Sequence, residues 1–187
     1  MRRIDYADLG FFTDLHADPE VARYLPHGRP RSSQESLAWI QSVLRTYEES
    51  ALGQLAVLRK RDGMLIGRCG LSYLAVEARA AAAVPRGWYQ RAEVPDAAEI
   101  VLEPELGYTF HRTSWGQGYA SEATRCVFDY ACDKLKLPRV VSLIHPDNVR
   151  SLRVAQRFGV QREGMVEVMK RSYGRFVWPM SIPSQGT

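Results

Sequence analysis

The chain has 187 residues, 45% hydrophobic and 25% charged, with 25 Lys and Arg against 21 Asp and Glu for a net charge of +4. That length suits one domain with a sizeable core, the composition is ordinary for a globular protein, and no apolar run is long enough to cross a bilayer. The basic residues are scattered among acids with no dense stripe, which argues against nucleic acid and suits a small polyanionic ligand or an acidic partner.

The opening, Met1-Arg2-Arg3 leading into Asp5 and Asp8, lacks the apolar stretch of a secretory leader, so a soluble cytoplasmic protein is expected. Three cysteines, Cys69, Cys126 and Cys132, are odd in number and lack metal-site spacing. They fit a reducing compartment and the role of core filler.

Residues 2 to 4 are short enough for a minimal first strand. Asp5 or Asp8 then caps a helix with Leu9, Phe12, Leu15 and His16 on its apolar side, followed by a second piece from Pro19 to Leu25. Pro26, Gly28 and Pro30 end it. The next helix begins at Ser32, with Glu35 at the capping-box spacing and Leu37, Ile40, Leu44 and Tyr47 as its buried stripe. After Gly53, strands over 55–59 and 64–73 meet at Arg61-Asp62-Gly63, a hairpin signal.

Residues 75–98 carry an alanine run and then Pro85, Gly87, Trp88, Tyr89 and Pro95 without a consistent period, and read as a long loop insertion. Its aromatics cover an apolar edge of the domain or face a substrate. From Glu99 the chain turns extended through Val101, Leu106, Tyr108 and Phe110, then meets a glycine turn and a helix with Ala123, Val127, Tyr130 and Leu135 at core spacing. A strand over 139–144 follows. Asp147 or Asn148 caps a last helix, with Leu152, Ala155 and Phe158 inward and Gly159 as its stop. Strands over 161–171 and 176–182, with Ser172 to Arg175 as the turn, complete a mixed α/β pattern.

The junction Trp115-Gly116-Gln117-Gly118-Tyr119-Ala120 stands out because it joins a strand to a helix. Two glycines two residues apart let the backbone fold sharply, so several N–H groups can point at one spot. The first helical turn adds N–H groups without intrahelical partners and positive dipole character, which together suit phosphate oxygens. A tight βα turn can use glycines for geometry alone, so the six residues leave both readings open.

Neighbouring motifs decide between them. Glu105-Leu-Gly-Tyr-Thr-Phe110, the glycine junction, His145-Pro-Asp-Asn-Val-Arg-Ser151, Arg157-Phe-Gly-Val160 and Tyr173-Gly-Arg-Phe176 occur in an order and spacing that resembles the GNAT acetyltransferase superfamily. Within it, the pattern is similar to the branch of ribosomal-protein N-terminal alanine acetyltransferases. The resemblance covers almost the whole chain, including Asp18 to Leu25 and Gly67 to Leu71. It implies one GNAT-like domain over residues 1–187, with a mixed six- to seven-stranded sheet, antiparallel in its N-terminal part, and about four helices. Two parallel strands splay apart at the acyl-CoA site.

Further implications concern the site. The diphosphate of acetyl-CoA would sit on Trp115, Gly116, Gln117, Gly118, Tyr119 and Ala120, with Tyr108 and Phe110 lining the pantetheine arm and Asn148 and Ser151 as further contacts. Trp115 departs from the superfamily's usual Arg or Gln but suits this branch. Acetyl transfer to an amine needs a base, and Glu105, with Glu103 or Glu99 behind it, is the candidate carboxylate. A backbone N–H near Tyr108 to Phe110 would serve the oxyanion, and Ser151 or Tyr173 the departing thiolate.

Other residues have plainer roles. His111 and His145 suit local hydrogen bonding, and His16 and His27 lack partners at ligand spacing, so no metal is expected. Gly118 is followed by Tyr119 and Ala120 rather than Lys and Ser/Thr, which excludes a Walker loop, and a start with helices and a hairpin fits a dinucleotide fold poorly. The expected partners are acetyl-CoA and an amine acceptor, without nucleic acid or membrane, and a homodimer is left open. A non-catalytic acyl-CoA-binding or regulatory protein is the alternative to the enzyme.

Overall fold

The computed structural model describes residues 1–50, 52–78 and 83–179. The chain divides into two compact units, Met1–Ser72 with Gly107–Val127, and Tyr73–Leu106 with Phe128–Thr187.

The first unit begins with β1 (Arg2–Arg3), α1 (Leu9–Ala17), α2 (Pro19–Ala22) and α3 (Ser33–Glu49). The starts of α2 and α3 are capped as their residues dictate, whereas Asp8 ahead of α1 makes no side-chain cap bond and Asp5 instead caps the short turn Tyr6–Asp8. Asp18 Oδ1 accepts from Glu20 N at 2.9 Å with Pro19 at the first helical position. Ser32 and Glu35 form a reciprocal capping box, with Ser32 N donating to Glu35 Oε2 at 2.8 Å and Glu35 N to Ser32 Oγ at 3.2 Å. The strands β2 (Gln54–Leu58) and β3 (Leu65–Glu77) pair antiparallel, Leu55 opposite Cys69, and β1 pairs antiparallel with β2. Phe12, Leu15, Ile40 and Ala56 are fully buried in this unit's core. Burying such a large apolar side chain contributes about 1.5–3 kcal/mol.

β3 also pairs with β5 (Ile100–Phe110), and within the first unit His111 N donates to Ile66 O at 2.9 Å. Gly67 permits this approach: a Cβ there would come within 2.5 Å of Thr109 O and 2.8 Å of Phe110 Cα. A larger residue would push the strands apart.

The second unit adds β4 (Arg86–Trp88), β6 (Val141–Ile144), α5 (Val149–Arg157), β7 (Gln161–Val168) and β8 (Arg171–Val177). β3 pairs antiparallel with β4, β4 parallel with β7, β7 antiparallel with β8, and β8 antiparallel with β6. Among the described residues the strand order is β1-β2-β3-β4-β7-β8-β6-β5, a mixed sheet of eight strands that includes the two-residue β1 and the three-residue β4. The helix α4 (Tyr119–Asp133) has its first residues in one unit and its last in the other.

Three sequence expectations need correction. Residues 75–98 are not wholly loop: β3 runs on to Glu77, and Arg86–Trp88 forms β4 between β3 and β7, while residues 79–82 lie outside the described residues. The last hairpin turns at Met169 and Lys170, with φ of 51° and 62°, rather than over Ser172 to Arg175, and of the expected final strand over 176–182, residues 180–182 lie outside the described residues. Gly174, the apparent turn signal, instead sits inside β8, where a Cβ would meet the Phe176 ring at 2.7 Å. Among the cysteines, Cys69 is buried in the core, but Cys126 is exposed and Cys132 half-buried.

Candidate functional site

The glycine junction is anchored at its start by Trp115. Arg112–Ser114 makes a 3-10 turn after β5, and the Trp115 indole N–H folds back to donate to Phe110 O at 2.8 Å. Its ring packs on the core of Phe12, Leu15 and Ile40. The departure from Arg or Gln therefore has a structural purpose: tryptophan fixes where the loop leaves the strand.

Gly116 and Gly118 follow with φ of +74° and +84°, backbone that L side chains rarely adopt. A Cβ at either position would meet no atom of the described residues within 4 Å, so the glycines answer to backbone conformation rather than to crowding by those residues. Gln117 Nε2 donates to Thr113 O at 2.8 Å and closes the turn. The bond from Glu122 N to Gly118 O, 3.0 Å, opens α4, so the amides of Tyr119, Ala120 and Ser121 precede the helical ladder. Arg112 pairs with Asp18 at 3.3 Å, and the Arg59 guanidinium interacts with the Tyr119 phenol. Positive-φ glycines, amides of a first helical turn and an absence of crowding fit a phosphate group.

In the second unit, Glu105 is buried and stands opposite Val141 in the parallel pairing of β5 and β6. One residue further, a side chain bridges the strands: Ser142 Oγ donates to Leu106 O at 2.6 Å and accepts from Trp178 Nε1 at 2.9 Å. Trp178 is held in turn by Phe128, 5.0 Å away in a stacked arrangement, and by Phe158 at 5.2 Å. The hydroxyl thus links the two strands beside their register pair.

On the other side of Glu105, Glu103 faces the guanidiniums of Arg139 at 3.6 Å and Arg175 at 3.5 Å, and both arginines also bind Glu163. The hydrogen bonds from Arg175 and then Arg139 outweigh the opposing effect of burial and set the Glu163 carboxyl below its ordinary range. Glu103 thus faces two cations.

Asn148 is the N-cap of α5, its Oδ1 accepting from Ser151 N at 3.2 Å, and Ser151 is half-buried in the first turn. Tyr173 lies in β8 among Leu74, Val76, Val166 and Val168, with the His145 ring edge-on at 5.8 Å. Burial pushes its phenol pKa up, so the hydroxyl stays protonated and able to donate. The structure therefore joins Asn148 to Ser151 and Tyr173 to His145. The sheet ladder does not join Glu105 to Tyr173, which faces Val166. Tyr108 and Phe110 share β5 with ring centroids 6.1 Å apart.

Sequence reasoning missed Ser142, Trp178 and the Glu103 network. A signal for Ser142 existed, since it interrupts Val140-Val141-Ser142-Leu143-Ile144, a polar residue in an apolar strand. The ionic network carries none, because its four members lie on separate segments of the chain.

Residues 1–161 match the Acetyltransferase (GNAT) domain family, and the chain belongs to it. The Uncharacterized N-acetyltransferase p20 of Bacillus licheniformis is 23% identical over 177 residues, 95% of this chain and 86% of that protein. Among solved structures, an acetyltransferase from Agrobacterium tumefaciens superposes with a TM-score of 0.69 at 22% identity, covering 95% of this chain and 88% of that one. Mycobacterium smegmatis RimJ, solved in complex with CoA-disulfide, gives 0.65 at 14% identity over 94% and 79%. At these identities the superpositions speak for the fold.

Proposed function

We propose that the chain is an acetyl-CoA-dependent N-acetyltransferase, one domain over residues 1–187, that moves an acetyl group directly to a primary amine in a ternary complex. The observation that carries this reading is the loop of Trp115 to Ala120, whose two positive-φ glycines open onto the first amides of α4. Those amides would hold the diphosphate, with Tyr108 and Phe110 along the thioester arm and Asn148 and Ser151 as further contacts. RimJ of Mycobacterium smegmatis was solved with a CoA disulfide, which supports a ligand of this type. The acceptor is a peptide N-terminus or a small-molecule amine.

An ammonium has no free lone pair, so the amine must first lose a proton. Glu105 is the base in this reading: it is buried in β5 opposite Val141 of β6, where a carboxylate receives little competition from water. As the amine attacks the thioester carbonyl, a β5 amide near Tyr108 to Phe110 stabilises the oxygen that gains charge. The C–S bond then breaks, and Ser151 or Tyr173 protonates the departing sulfur. Tyr173 is suited to this because burial keeps its hydroxyl protonated.

Three cysteines without a disulfide, and no helix among the described residues long and apolar enough to cross a membrane, support work in the cytoplasm. The test is thiol release from acetyl-CoA with and without a panel of amines and peptides. Release stimulated by at least one amine is expected. Cofactor binding with no amine-stimulated release from any of them would instead mean an acyl-CoA-binding protein.

A further inference from the structure

The first unit holds a cluster of cationic and aromatic groups that the glycine loop does not use. His16 of α1 is 1% exposed; its Nδ1 meets the Ser36 hydroxyl at 3.1 Å, and its Nε2 has no hydrogen-bond partner among the described residues. The Trp39 ring stands edge-on to it with 4.9 Å between centroids. On the same tryptophan, 5.2 Å from the ring centre, lies the Arg68 guanidinium, which also donates to Gln54 Oε1 at 2.7 Å. Arg31 is tied to the same place, its backbone N–H donating to His16 O at 3.1 Å.

These groups feel one another. Burial first, then the charge of Arg68, holds Arg31 down to about 10. Burial, then Arg68 and Arg31, holds His16 at about 3. Glu35 is the acid acting on Arg31, yet its oxygens are already taken by Ser32 N at 2.8 Å and by the Arg29 fork at 2.5 and 3.1 Å. Poorly hydrated cations that depress one another gain most from an anion placed among them, and a guanidinium fork matches a planar carboxylate in two bonds.

The position suits an acceptor. Arg68 directly follows Gly67, where β3 lies against Thr109 and Phe110 of β5, the strand assigned to the thioester arm. Resting on the acetyltransferase reading, we infer that Arg31, Arg68 and His16 form an anion subsite that grips a carboxylate of the acceptor. The substrates of this chain are then amines that carry a carboxylate, and the cluster selects them.

Glutarate, which has carboxylates and no amine, separates the subsite from the chemistry. Without CoA, it is expected to raise the melting temperature of the wild type and change its tryptophan fluorescence, and to do neither in Arg31→Gln. In the second arm, ω-amino carboxylates of increasing chain length are compared with their carboxamides as acceptors. At the matching length the carboxylate is expected to be favoured about tenfold or more in kcat/KM, the scale of a charge-assisted pair. Arg31→Gln is expected to remove that preference through KM.

Should Arg31→Gln not fold, Arg31→Lys keeps the charge without the fork and is expected to weaken the preference. Absence of any glutarate effect, or equal losses for carboxylate and carboxamide, overturns the subsite. Preference for the matching aminoalkyl phosphonate over the carboxylate overturns the carboxylate assignment. Glutarate binding with no amine acetylated leaves the subsite standing and removes the acetyltransferase reading.

Discussion

Ser142→Ala tests whether a side chain, rather than the backbone ladder, holds β5 and β6 together beside Glu105 and Val141. The hydroxyl makes two bonds, to Leu106 O at 2.6 Å and from Trp178 Nε1 at 2.9 Å, among residues that are 1%, 3% and 7% exposed for Leu106, Trp178 and Ser142. Alanine fits the space but leaves a buried carbonyl and a buried indole N–H unmet. Each such group costs about 1–3 kcal/mol, so the variant is expected to lose about 2–6 kcal/mol. That is a large part of the 5–15 kcal/mol typical of a folded domain. Urea unfolding measures it. Trp178→Phe removes the donor while the hydroxyl can still reach Leu106 O, so a double-mutant cycle is expected to show coupling above about 0.5 kcal/mol. A loss below about 0.5 kcal/mol for Ser142→Ala would show that the bridge does not hold the strands.

Three further predictions follow from the same structure. Ser151→Ala and Tyr173→Phe compare the two candidate proton donors, and the true one is expected to lower kcat about 100-fold with little change in CoA affinity; an unchanged rate removes that residue from the chemistry. His16 is held at about 3 by burial, below its ordinary 6.5, so the unfolded chain takes up a proton that the native one refuses as pH falls from 6.5 towards 3. Stability is therefore expected to fall with pH across that window, by up to about 1.4 kcal/mol per pH unit, and His16→Asn should flatten the slope of urea-unfolding free energy against pH; the same slope in both proteins would contradict the burial of a neutral imidazole. Glu103→Gln loses the charge that both Arg139 and Arg175 face and leaves those guanidiniums sharing Glu163, so a loss of about 1–3 kcal/mol in thermal or urea unfolding is expected, whereas no change would mean the network is screened by water.

Local chemistry made much of the fold legible. The Ser32 and Glu35 box, the turn at Gly63 and the stop at Gly159 all fall where side chains and glycine conformation require, and the structure has φ of +70° and +67° at the two glycines. The glycine junction was readable for the same reason. What escaped depends on residues far apart in the chain. β4 is three residues long and exists because β3 and β7 each offer an edge to it, which no local period reports. Met169 and Lys170 adopt positive φ without glycine, so the sequence points instead to a turn over Ser172 to Arg175. The Ser142 bridge and the Arg31, Arg68 and His16 cluster likewise join segments that the sequence separates by tens of residues.

The reading turns on whether the Trp115 to Ala120 loop holds the diphosphate of CoA, and titration calorimetry of CoA against the wild type, Gly118→Ala and Gly118→Glu measures it directly. Gly118 has a φ of +84° with space for a Cβ, so alanine adds only backbone strain of about 1–2 kcal/mol. Glutamate adds a negative charge facing the phosphates. The expected result is tight binding by the wild type, a modest loss for alanine and a loss of about 100-fold or more for glutamate, in variants whose circular dichroism matches the wild type. Full CoA affinity in a folded Gly118→Glu would contradict the assignment.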